Sequence, residues 1–279
     1  MLNYERDITS PLLKEQAAKQ LLLDHLAYLD RHKDTRRLLF KNVEPHIKLI
    51  ARTTPMTDFD TGTVTSETLP AFTARESHQS RGTYQDDLRL TEDLLNWGHT
   101  TPFEGLAFTY RVEGISKSLA GQWTRHRAGI GWTFRSTRYV DSKLNGFVYP
   151  LFEYLDDPMF AYEEYEDVHR VVMNRVDILT KKGVDKQEAR RLQPVGFATS
   201  AYVYTNARQL MHFFNLRVAP HAENEHRRFA IMWLLDLYGM YPRVFGKSLV
   251  EAAERIKKLT KEDITVYENQ NKSVKITCF

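Results

Sequence analysis

Ala18, Leu22, Leu26 and Leu29 recur at helical spacing in SPLLKEQAAKQLLLDHLAYLDRH, which predicts an amphipathic helix. Ser10 stands as its N-cap, with Pro11 at the first helical position. The period then changes. PHIKLIART (45–53) alternates apolar and polar residues and predicts a strand. Residues 54–83 are rich in Thr, Ser, Gly and Pro and predict a long loop or an ordered active-site flap. YQDDLRLTEDLLNWGH predicts a helix with its acids early, and GLAFTYRVEG (105–114) a second strand. SKSLAGQWTRHR reads as a short helix running into a loop at Gly129 and Gly131, and TFRSTRYV (133–140) is strand-like.

Asp157 and Pro158 open a long helix that stops at Gly183, with acids at its front and Lys181 and Lys182 at its back, as the helix dipole favours. KQEARRLQP is a shorter helix ended by Pro194, FATSAYVYT a strand, and Asn206 starts a helix over NARQLMHFFNLR. AENEHRRFAIMWLLDLYGM predicts a partly buried helix, SLVEAAERIKKLT an amphipathic one, and SVKITCF a late strand. No internal repeat or disordered linker interrupts the pattern. The expectation is one α+β domain over 45–279, preceded by an N-terminal helical extension at 1–44.

Composition narrows the class. At 279 residues, 42% hydrophobic and 27% charged, the chain can bury an ordinary core without staples. The formal charge is only +3, so the chain as a whole is not shaped for a nucleic acid, although local basic patches facing an anion are allowed. A lone cysteine, Cys278, excludes an intramolecular disulfide framework and a multi-cysteine zinc site, and fits a reducing compartment. No apolar run approaches a membrane span, and MLNYERDITS has no signal-like apolar segment. A cytoplasmic protein is expected.

The chemistry concentrates around QWTRHRAGIGWTFRSTRYV (122–140), where Arg125, His126, Arg127, Arg135 and Arg138 stand among aromatics with no acid between 114 and 140. Gln122, Arg125 and His126 fall at i, i+3, i+4, one helix face, with Leu119 and Trp123 on the core side. Strand alternation would put Ser136 and Arg138 on one side, and Arg135 and Thr137 on the other. Guanidinium groups grip phosphate bidentately, so an anionic ligand is indicated over a solvated basic face. In the second block Arg208, His212 and Asn215 share a face, with Arg217 at the helix end, where a cation is favoured in any case. HAENEH (221–226) invites a metal reading, because His221 and Glu225 would sit one turn apart. The spacing fits no metalloprotease pattern, and no metal is expected.

Assembled, these segments resemble the flavin-dependent thymidylate synthase family. RHRAGIGWTFRSTRY follows its Arg-His-Arg, spacer, Ser-x-Arg-Tyr signature; HTTPFEG (99–105) resembles its His-x-x-Pro-Phe-Glu-His; NARQLMHFFNLR with HAENEH resembles its second block. The likeness spans about 45–240. Three features depart from the pattern. Eight residues, not seven, separate Arg127 from Ser136; Phe134 stands where the family usually has an acid or amide; and Gly105 replaces the last His.

The resemblance implies an antiparallel sheet flanked by long helices, in a homotetramer with active sites shared among subunits. It implies methylation of deoxyuridylate to thymidylate, with FAD as cofactor and NADPH and methylenetetrahydrofolate as co-substrates, and no cysteine nucleophile. It would place Arg125, His126, Arg127, Asn206, Arg208, His212 and His221 at the flavin, with His99 and Thr101 nearby. Gln122, Ser136, Arg138, Arg190 and Arg217 would hold the nucleotide, with Arg217 at the pyrimidine ring and, with Ser136, in the catalytic role. The altered loop keeps open a relative acting on uridylate or deoxycytidylate, or leaving a hydroxymethyl group. An RNA- or DNA-binding protein is the remote alternative.

Overall fold

The computed structural model describes residues 11–29, 43–56, 64–136, 138, 146–150, 152 and 155–271. Ser10, Thr137, Tyr139, Cys278 and the expected strand SVKITCF lie outside them.

Four strands form one antiparallel sheet in the order β1-β2-β4-β3: β1 is His46–Arg52, β2 Ala107–Ser116, β3 Ile130–Phe134 and β4 Ala198–Asn206. Alternation decides which face is buried. Phe108, Tyr110 and Val112 of β2 point inward with Ala201 and Val203 of β4 and with Ile130 and Trp132 of β3. Tyr202 and Tyr204, at the intervening positions of β4, are exposed on the other face.

The helices supply the opposing layer. After α1 (Pro11–Leu29), α2 (Leu69–Ala74) and α3 (Tyr84–Asn96), α4 (Lys117–Trp123) leads from β2 towards β3. The 24-residue α5 (Pro158–Lys181) and the short α6 (Lys186–Ala189) precede β4; α7 (Ala207–Arg217), α8 (Asn224–Met240) and the 30-residue α9 (Pro242–Asn271) follow it. Trp123, Phe213, Phe229, Trp233 and Phe245 are fully buried in one cluster with the sheet's inner face, and Ala18 and Leu22 of α1 belong to it. α5 instead covers a smaller aromatic group, in which Phe147 stacks on His169 at 3.8 Å. The expected α+β architecture, an antiparallel sheet flanked by long helices, is what the chain forms. Among the described residues no helix is long and apolar enough to cross a membrane.

Local chemistry explains the boundaries. Thr83 and Asp86 form a reciprocal capping box on α3, Asp157 accepts from the Phe160 amide at 3.2 Å, and Asn206 accepts from the Gln209 amide at 2.9 Å. Several expected boundaries move. The span 54–83 contains α2 and a 3-10 turn at Arg75–His78, begun by Pro70 in the first turn. The third strand is described at 130–134, starting three residues before the expected 133, because Ile130, Trp132 and Phe134 alternate inward and Gly129, at φ +64°, makes the turn before them. Gly131 is an ordinary strand residue opposite Tyr204. The helix of the basic segment ends at Trp123, so Arg125 and His126 follow it in a turn. α8 starts at Asn224, leaving His221 outside it, and α9 starts at Pro242 rather than Ser248.

Candidate functional site

Two consecutive residues of α8 fix both ends of α4. Ser116 caps α4 by accepting from the Leu119 amide, and Glu225 accepts from the Ser116 amide at 2.7 Å and from its hydroxyl at 2.6 Å. Burial raises the Glu225 carboxyl pKa, partly offset by those two hydrogen bonds. At the other end the Trp123 indole donates to His226 Nε2 at 2.7 Å, and His226 Nδ1 faces Gln122 Oε1 at 3.3 Å. His226 is wholly buried, and burial first, then Arg217 and His126, push its pKa down to about 2.

His126 lies beyond α4, against the ring of Phe213 at 5.2 Å and that of His226 at 6.3 Å. Arg217, the last residue of α7, donates to His126 Nε2 from Nε at 2.8 Å and from Nη2 at 2.7 Å. A guanidinium only donates, so that nitrogen accepts and the imidazole is neutral. The His126 pKa falls to about 4, by burial first, then Arg217, then His212. Burial also lowers the Arg217 pKa; Glu223 opposes this and Arg125 adds to it. Gln122, Arg125, His126, His212 and Arg217 thus converge, although they come from two elements and a turn.

A cleft of about 710 Å³ opens beside this group, lined by Asn206 at the end of β4, Arg208, Gln209 and His212 of α7, Gly129, Glu104 and Lys247, among others. Arg208 pairs with Glu104. Asn206 Oδ1 is committed to its cap, and its Nδ2 would lie 3.3 Å from a Cβ at Gly129. Arg208, His212 and Asn215 share the cleft face of α7, while Leu210, Phe213 and Phe214 of the same helix are buried, as the periodicity predicts. A second cleft of about 1000 Å³ is lined by His99 and Thr101 together with Arg75, Trp97 and the apolar side chains of Leu69, Leu90 and Leu94.

The remaining expected residues are dispersed. Arg127 and His221 are exposed, and Ser136 Oγ accepts from the Arg138 amide at 3.3 Å just past β3. Arg190 sits in a 3-10 turn after α6, donates to Gln187 O at 3.3 Å and depresses the Lys117 pKa after burial has done so. The face shared by His221 and Glu225 does not form, because α8 begins between them and Glu225 is taken by Ser116. Sequence reasoning overlooked His226, Glu104 and Gln209. Only His226 left a signal: a histidine inside an otherwise apolar helical stripe.

An antiparallel sheet backed by long helices, with cations gathered about a polar cleft, defines a mixed α+β protein whose side chains suit an anionic organic ligand. A family model described as "Thymidylate synthase complementing protein" matches residues 60–243. The chain is similar to the flavin-dependent thymidylate synthase of Geobacter sulfurreducens, 29% identical over 160 residues, covering 57% of this chain and 68% of that protein. The enzyme of the same name from Thermotoga neapolitana is 32% identical over 150 residues, 53% of this chain and 68% of the relative. That of Sulfolobus acidocaldarius is 28% identical over 190 residues, 64% of this chain and 71% of the relative. The chain belongs to the flavin-dependent thymidylate synthase family.

Proposed function

We propose that this protein methylates deoxyuridylate at carbon 5, using FAD as cofactor, methylenetetrahydrofolate as carbon donor and NADPH as reductant. The observation that carries the proposal is Arg217. It is a partly buried guanidinium whose hydrogen bonds, among the described residues, go to a neutral histidine and to no carboxylate. A cation held this way keeps its charge for an incoming anion. Next to a pyrimidine it would stabilise negative charge developing on the ring carbonyls.

The cleft residues fit a flavin dinucleotide. The volume of about 710 Å³ lies within the usual range for ligand sites. Arg208, Lys247, Gln209 and His212 offer donors to a pyrophosphate and a polar ring edge. Gly129 lets the backbone approach where a Cβ would crowd Asn206 and Gln209. When bound, the flavin would supply the hydride chemistry, while this chain binds, orients and sets the field. Arg208 would exchange Glu104 for the pyrophosphate, with Arg125 and Arg127 adding charge, and His221 a ring N–H, from exposed positions. Gln122, Ser136, Arg138 and Arg190 would hold the nucleotide.

The reading includes a cytoplasmic homotetramer with shared active sites. The division of the expected flavin residues between two clefts, with Arg190 on a separate turn, supports it, because one chain leaves these groups apart. The test is to purify the protein, record its flavin absorbance, and assay it with deoxyuridylate, NADPH and methylenetetrahydrofolate. Yellow protein and thymidylate are expected. Colourless protein that cannot be reconstituted with FAD would overturn the reading in favour of nucleic-acid binding.

A further inference from the structure

The buried chain Trp123–His226–Gln122 fixes which end of an amide faces the ligand. An indole N–H has no acceptor function, so the 2.7 Å contact from Trp123 Nε1 obliges His226 Nε2 to accept. The imidazole is neutral, because burial holds it so, and its single proton must therefore sit on Nδ1. Nδ1–H then meets Gln122 at 3.3 Å, and only the amide oxygen can accept there. Turning the Gln122 amide over would set two donors against each other in a site with no water exposure at His226. The Gln122 NH2 group is left facing away from His226, in a residue that is only partly buried.

We propose that His226, set by Trp123, is a positioning residue that makes Gln122 a donor and not an acceptor towards the bound nucleotide. The site would thereby select an acceptor oxygen on that ligand and oppose a donor at the same place. This rests on the reading of Gln122 as a nucleotide contact, but the lock itself does not. Trp123 is stacked on Trp132 at 4.8 Å and edge-on to Phe229 at 4.8 Å, so a phenyl ring can replace the indole within the same packing. His226 in Trp123→Phe would then be free to carry its proton on either nitrogen, and the Gln122 amide free to turn.

Two measurements separate the lock from the function. Imidazole nitrogen NMR of the flavin-loaded protein, without nucleotide, should show His226 as the Nδ1–H tautomer, and a mixture in Trp123→Phe. A wild-type Nε2–H tautomer or an imidazolium overturns the proposal whatever the protein binds. Titration with deoxyuridylate should show affinity falling about 5- to 10-fold in Trp123→Phe and in His226→Phe, the scale of one lost hydrogen bond. His226→Asn places an N–H where Nδ1 stood and should restore most of the affinity. The loss should vanish in a Gln122→Ala background, where there is no amide left to orient. Equal losses with and without Gln122, or no rescue by Asn, would show a packing role only and overturn the proposal. Wild type that shows the Nδ1–H tautomer but binds no pyrimidine nucleotide would sink the functional reading of Gln122 and leave the lock standing.

Discussion

Arg217→Ala should separate ligand binding from stability. Nε and Nη2 reach His126 Nε2 at 2.8 and 2.7 Å, but they share one lone pair, so the interaction counts as one hydrogen bond. Losing it costs about 1.5–3 kcal/mol, because its donor is charged, and part is recovered because the desolvated guanidinium, whose pKa burial lowers, is removed as well. The net change in folding free energy should be about 2 kcal/mol or less. A nucleotide held by that guanidinium loses a charged hydrogen bond of about 1.5–3 kcal/mol, an affinity loss of about 10- to 150-fold. His126 also loses the second of its three depressing causes, so its pKa should rise from about 4 while burial keeps it below its usual value. Calorimetric titration of the flavin-loaded variant with deoxyuridylate, urea unfolding and NMR titration of His126 read the three effects. Unfolding easier by about 3 kcal/mol or more, with affinity unchanged, would mean that Arg217 is a structural cation and would refute the reasoning.

Gly129→Ala should cost about 1–2 kcal/mol from its φ of +64° and loosen flavin retention, since the new Cβ meets Asn206 and Gln209 at 3.3 Å; thermal melts and flavin absorbance measure both. Glu225→Ala should destabilise by about 2–3 kcal/mol in urea, with Glu225→Gln recovering part, because a buried Ser116 amide and hydroxyl lose their acceptor. His25, His126, His169 and His226 all have lowered pKa values, about 4 for the first three and about 2 for the last. Above pH 6.5 neither state is protonated at these rings; below it the unfolded chain takes up protons that the folded one refuses. Stability should therefore hold above about pH 6.5 and fall as pH drops towards 4, by up to about 1.4 kcal/mol per unit for each ring, as urea midpoints across that range would show.

The elements most legible in the sequence are those that a local rule specifies completely. Asp157 and Asn206 are caps whose partners lie within three residues, and they appear where the sequence puts them. The periodicity of α7 separates Arg208 and His212 from Leu210 and Phe213 without tertiary information. The strand at 130–134 was mislocated because its glycines read as a loop, although only Gly129 turns the chain. Glu225 and His226 could not be understood locally. Their partners, Ser116, Gln122 and Trp123, are more than a hundred positions away, and helical spacing alone made them look like metal ligands or filler. Glu104 and Arg208 were likewise invisible as a pair, because nothing in either segment names the other.

The altered loop bears on which nucleotide is used. β3 pairs with β4 in unbroken register from Ile130 opposite Thr205 to Phe134 opposite Ala201, and the Arg135 amide extends the ladder to Ser200 O at 2.8 Å. No bulge interrupts it, so an extra residue between Arg127 and Ser136 relative to the family signature would be absorbed ahead of β3, at the Ala128–Gly129 turn, where Gly129 accepts a positive φ. Phe134 stacks on Trp132 at 5.9 Å and packs on the core face, so it meets the apolar layer. If relatives place a polar group there, this chain forgoes one neutral hydrogen bond, about 0.5–1.5 kcal/mol, which weakens binding about 2- to 13-fold. A deficit of that size lowers affinity for every pyrimidine nucleotide offered; redirecting the enzyme would need a new contact or a clash. Thymidylate should therefore be the main product when deoxyuridylate, uridylate and deoxycytidylate compete at equal concentration, with products identified by mass. A methylated or hydroxymethylated ribonucleotide or cytidine product in excess would refute this. It would place the specificity in the segment between Arg127 and Ser136.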